Sequence, residues 1–206
     1  MTGAWLRKLI TGGLAGIVLA VSMPVAAQNF SDGYKFLKAV KDRDLTEANK
    51  FLDEPGSTVI NSRDLTSGES GLHIAVQRRD LYWVQLLTGR GANANIRDKR
   101  GITPLSLSVQ LGWVDGVRAL VGAGARVDEA NDAGETPLIA AVHRRDAGLI
   151  RVLLAAGASP ERSDNSGRTA RDYAEQQGNT GPVMAEFRRH DASRSGAGGN
   201  ETYGPR

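Results

Sequence analysis

The chain reads as an all-α solenoid of antiparallel helix pairs joined by turns or short hairpins, about five units long counting both end caps. Two observations carry this. First, landmarks recur at one spacing. Gly68, Gly101, Gly134 and Gly167 stand 33 residues apart, as do Leu72, Leu105 and Leu138, and the Gly-Ala steps that begin at Gly91, Gly124 and Gly157. A fixed period of this length, kept without gaps, marks stacked repeats. Second, each copy carries its own helix signals. Thr103 and Thr136 stand where an N-cap hydroxyl is wanted, and Pro104 and Pro137 follow at the first helical position, where a missing N–H costs nothing. Gly91, Gly124 and Gly157 close the second helix, as left-handed C-cap residues do.

Taken in order, residues 1–27 stand apart from the repeats. Arg7 and Lys8 are followed by an uncharged, mostly apolar run and then by Pro24-Val25-Ala26-Ala27. That is the layout of a secretory signal peptide, with cleavage expected after Ala27. On a bacterial reading the mature chain lies in the periplasm. The alternative is an uncleaved anchor in the inner membrane, since residues 9–27 carry no charge and approach the shortest spanning length. Loss of 1–27 removes two basic residues and no acidic one, so the formal net charge falls from +3 to +1. A near-neutral chain is no nucleic-acid binder on charge grounds, and we expect a monomer with no stable membrane insertion after cleavage. With no cysteine, disulfides, thiolate metal sites and a cysteine nucleophile are excluded.

Residues 28–61 form the N-terminal cap, in which Phe36, Ala39, Leu45, Ala48 and Phe51 match the later apolar columns at an offset of 36. The extra residues fall in Asp53-Glu54-Pro55-Gly56-Ser57, a loop by composition. Three central repeats cover 62–94, 95–127 and 128–160. Small residues recur at Ala75, Ser108, Ala141 and Ala174, and apolar ones at Val84, Val117, Ile150 and Val183 and at Leu87, Leu120 and Leu153. Leu65 replaces the turn aspartate and Gly71 the helix-starting proline, so the first of these repeats is expected to be softer. Residues 161–190 form the C-terminal cap, where Glu186 replaces the third leucine and the stack should stop. Residues 191–206, rich in Gly and Ser, read as a disordered tail.

Thr103-Pro104-Leu105, Thr136-Pro137-Leu138 and the Gly-Ala helix stops resemble ankyrin repeats, over roughly residues 30–190. Ser70-Gly71-Leu72-His73 is a weakened copy in which His73 keeps the motif histidine, and Gly167-Arg168-Thr169-Ala170-Arg171-Asp172-Tyr173-Ala174 is similar to the form common in last repeats, with Arg171 where leucine is usual. The resemblance implies a protein partner held on the concave face, through turn tips and the solvent side of the first helices. That register selects Arg78, Lys99, Arg100, Ile102, Gln110, Leu111, His143 and Arg144, with Trp113 just beyond. Leu111 and Trp113 rimmed by Arg78 and Arg144 have the composition of an interface hot spot. The competing reading packs Leu111 and Trp113 between helices and leaves the arginines solvated. The pairs Arg78-Arg79 and Arg144-Arg145 suit an anionic ligand, or surface charge offset by Asp80 and Asp146; we take the second.

No histidines fall at ligand spacing, so no metal is expected, and no cofactor. H-E-x-x-H, G-x-S-x-G and phosphate-cradling loops are absent, so no enzyme is expected either. The expectation is a non-enzymatic adaptor for an unknown protein of the cell envelope. Two alternatives remain open. One is a protective or immunity protein that blocks a toxin or guards a periplasmic enzyme. The other is a small-ligand binder or enzyme, which a deep pocket holding His143 with Glu135 or Asp132 would favour.

Overall fold

A computed structural model describes residues 31–178 and 180–197. The helices come in five pairs: α1 (Asp32–Asp42) with α2 (Leu45–Leu52), α3 (Gly71–Gln77) with α4 (Leu81–Gly89), α5 (Pro104–Gln110) with α6 (Val114–Gly122), α7 (Pro137–His143) with α8 (Ala147–Ala155), and α9 (Ala170–Gln176) with α10 (Pro182–Ala197). First helices α1, α3, α5, α7 and α9 stack in one layer, and α4, α6, α8 and α10 in the other. The repeat columns become the core between them. Leu105, Leu138, Ala75, Ser108, Ala141, Val84, Val117, Ile150, Leu87, Leu120 and Leu153 are all 0% exposed. Full burial of one such aliphatic side chain is worth about 1.5–3 kcal/mol. No single pair could bury both its faces, so stability comes from neighbours.

Local chemistry sets the helix starts. Thr103 and Thr136 Oγ1 accept from the backbone N–H of Ser106 and Ile139, both at 3.2 Å. The second helices have a cap column as well. Asp44, Asp80 and Asp146 accept from the N–H of Glu47, Trp83 and Leu149 at 2.9, 3.3 and 3.0 Å. The third unit breaks that column with Trp113, whose side chain makes no cap. It breaks a second one too, because Gly116 stands where Trp83 and Leu149 stand in the adjacent units. The two breaks answer each other. The Trp113 ring lies against Gly116 so closely that any Cβ there would overlap it. The indole fills the space that the column residue fills elsewhere.

The second unit solves its turn differently from the sequence expectation. Asp64, one residue earlier than the usual position, accepts from the N–H of Thr66 and Ser67, both at 2.8 Å. In the third unit Asp98 plays this part for Arg100 and Ile102, also at 2.8 Å. The earlier start turns Leu65 outward, 92% exposed. His73 then replaces the missing proline as an organiser of the helix start. Its Nδ1 accepts from Ser70 N–H at 3.1 Å, and Nε2 donates to the Ile102 carbonyl of the next unit at 2.9 Å.

The C-terminal boundary must be moved. A tail was expected from residue 191, but α10 runs on to Ala197. Arg171 explains part of this. It donates to both Asp191 carboxylate oxygens at 3.1 Å and to Glu161 at 2.9 Å, and its guanidinium lies 5.5 Å from the Phe187 ring centre. The residue that departs from the usual leucine thus ties the last helix to α9. The expected signal segment, its cleavage point and residues 198–206 lie outside the described residues. Among the described residues, no helix is long and apolar enough to cross a membrane.

Candidate protein-docking face

Around Leu111 the structure follows the reading that packs Leu111 and Trp113 between helices. Trp113 and Ile102 are 9% and 7% exposed. Trp113 is withdrawn by the Gly116 space, and Ile102 is buried where its carbonyl meets His73. Leu111 is half-buried at the end of α5, packed against the core. The arginines reach across units, Arg78 half-buried and Arg144 still exposed. Arg78 Nη1 donates to the carbonyls of Val40 and Lys41 at 2.6 and 2.7 Å, and Arg144 Nη1 to that of Gln110 at 2.7 Å. Gln177, next in the same column, donates to the Val142 carbonyl at 2.9 Å. Each reaches back to the last turn of the preceding first helix, where carbonyls lack partners within the helix and a cation is favoured. Leu111 occupies this column and has no donor. There Arg79 reaches forward to the Leu111 carbonyl instead. These side chains join units, and burial lowers the Arg78 pKa.

The other expected residues are exposed but separately engaged. Lys99 Nζ donates to the Leu65 carbonyl at 2.6 Å, and Arg100 pairs with Asp98 at 3.2 Å. Gln110 is exposed on α5. His143 does meet Glu135, with Nδ1 3.0 Å from Oε1, yet its side chain is 45% exposed, so this is an open surface pair and not a deep pocket. The ring also meets Tyr173 edge-on at 4.5 Å, and Tyr173 donates to Asp164 at 2.7 Å. The hydroxyls of Ser166 and Tyr173 hold the Asp164 carboxyl far below the usual carboxylate range. Among the described residues, no three His, Asp or Glu side chains converge as a metal site would need.

A different cleft forms at the other end of the stack, between the first two units. It holds about 430 Å³. From α1 come Tyr34, Leu37, Lys38, Lys41 and Asp42; from the following turn and α3 come Asp64, Glu69, Ile74, Gln77 and Arg78. Lys38 pairs with Asp42, and Gln77 with Glu69. Tyr34 is 45% exposed, and Leu65 stands on the same turn as Asp64. Among the described residues, all the exposed large hydrophobic side chains (Tyr34, Leu65, Leu81 and Tyr82) lie in these two units. The expected strip included Arg78 but missed Tyr34, Leu37 and Ile74.

Comparison with known proteins fixes the family. Residues 72–164 match the family model for ankyrin repeats, in 3 copies. This chain is an ankyrin-repeat protein. It is 43% identical over 51 residues to an ankyrin repeat protein of fowlpox virus, and 36% identical over 52 residues to the nuclear factor NF-kappa-B p110 subunit of Drosophila melanogaster. Each match covers 25% of this chain, but only 15% and 5% of the respective relative. The likeness therefore reaches the repeats and not the whole of either relative. Within the ankyrin repeats, His73 is a structural residue. It is fully buried, and that burial lowers its pKa and keeps the ring neutral.

Proposed function

We propose that this ankyrin-repeat protein is a non-catalytic docking module of the bacterial periplasm, and that it grips a protein partner in the cleft between its first two units. Ankyrin repeats support protein–protein interaction as the general role. The observation that carries the finer reading is the lining of that cleft, where exposed Tyr34 and half-buried Ile74 stand among Lys38, Lys41, Glu69 and Arg78. An apolar centre with a charged surround has the make-up of a docking site, since a few well-placed apolar anchors dominate binding energy. The rigid stack limits the ordering cost of association. The periplasmic setting rests on the signal-like segment at 1–27.

Affinity capture of the mature protein from periplasmic extract, read by mass spectrometry, tests this. Tyr34→Ala and Ile74→Glu should each lower recovery of the specific partner by about tenfold or more, while Leu111→Arg leaves it unchanged. Loss of the partner on Leu111→Arg with full recovery on Ile74→Glu would return the site to the middle of the stack.

A further inference from the structure

The last helix is attached differently from the other second-layer helices. Leu87, Leu120 and Leu153 occupy one column and are fully buried, but its last member is Glu186, itself only 5% exposed. Glu186 accepts from Arg151 Nε and Nη2 of α8 at 3.0 and 2.6 Å, and from Arg189 on its own helix. The arginines are 60% and 61% exposed. A cleft of about 190 Å³ runs beside the carboxylate, bordered by Arg151, Glu186, Arg189 and His190. Water therefore has a route to this group, unlike the leucines of the column. Gly178, at φ +118°, and Gly181 bracket the segment that leads into α10.

We infer that α10 is a latched cap, which protonation of the Glu186 carboxylate releases from α8 while the preceding units stay folded. A charge-assisted pair binds about twice as strongly as a neutral hydrogen bond, and the leucine contact that would hold the helix without charge is missing. The facing charged groups are few. From α8 comes Arg151; on α10 itself are Arg189 and, one turn on, His190, whose Nδ1 is buried without a hydrogen bond and lies 3.5 Å from Asp191. Arg171 of α9 faces Asp191 and Glu161, giving the cap a second carboxylate tie. The Arg151 guanidinium holds the Glu186 carboxyl below the usual range, against the opposing pull of burial. The attachment is thus intact above that range and lost as pH falls through the depressed value. What remains are the apolar contacts of Val183, Met184 and Phe187.

Hydrogen exchange read by mass spectrometry on the full chain tests the latch. In Glu186→Gln at pH 7, protection of peptides within 182–197 should fall about tenfold or more, as expected when a charged partner is removed; peptides from α5 to α8 should not change. Glu186→Leu, which restores the column, should keep α10 protected and reduce its acid sensitivity to what the Asp191 tie contributes. Unchanged protection of α10 in Glu186→Gln would overturn the inference. So would simultaneous loss of α7 and α10 when the wild type is acidified, a readout that stands even if the glutamine variant fails to fold.

Discussion

Trp113 and Gly116 show how one residue's departure from a repeat pattern is made good by another's. Asp at position 113 would supply the cap found at Asp44, Asp80 and Asp146, and a large residue at 116 would fill the column. The chain has neither, and the indole takes the space. Trp113→Asp should therefore destabilise by about 3–5 kcal/mol, the cost of deleting a large aromatic. Gly116→Leu should also destabilise, by overlap with the ring. Combined, they should recover most of the loss, with a coupling of about 1–3 kcal/mol in a double-mutant cycle followed by urea unfolding. Strictly additive losses would show that the two positions do not share one space. The sequence displayed both departures, but their link depends on ring placement, which no spacing rule reveals. The same holds for Arg78 and Arg144. Their column was visible, while their carbonyl partners lie 34–38 residues away in sequence.

At the level of the element, short helices of seven to nine residues, such as α3 to α9, are too short to persist alone. They hold because caps set their ends and neighbours bury their faces. Leu120 on α6 is fully buried between units. Leu120→Ala should cost about 2–5 kcal/mol, measured as a drop in urea midpoint at constant m value; a loss under about 1 kcal/mol would mean the column does not carry the stack. Helix starts at Thr103 and Thr136 and stops at Gly91, Gly124 and Gly157 were legible because each signal is local. The shifted turn at Asp64 and the extension of α10 were not. The first depends on which of two adjacent positions supplies the turn acceptor. The second depends on Arg171 contacts from another helix.

For the whole molecule, pH connects these details. Burial lowers the His73 pKa below its ordinary value near 6.5. The unfolded chain then binds a proton that the fold refuses, so stability is full above that value and declines as pH falls below it. Arg151 lowers Glu186 and Arg171 lowers Asp191; their contributions disappear further down, as pH falls through the depressed carboxylate values. Urea midpoints should therefore be level above about pH 7, fall gently towards pH 5 and fall steeply below about pH 4. In His73→Asn the decline between pH 7 and 5 should disappear; an unchanged slope would assign it to another group.

The cleft proposed for docking is the larger consequence of the stack as a whole, because neither α1 nor α3 forms it alone. The concave register pointed to the layer that contains it, whereas the Leu111 motif lies in units where Trp113 and Ile102 are buried. Burial of Trp113 follows the competing reading, which packed it between helices. The most direct measurement is hydrogen exchange of the captured complex against the free protein. Binding in the cleft predicts added protection in peptides covering 32–42 and 64–78, with the tips at 98–103 and 131–136 unchanged. Protection confined to those later tips, with α1 and α3 unaffected, would contradict it.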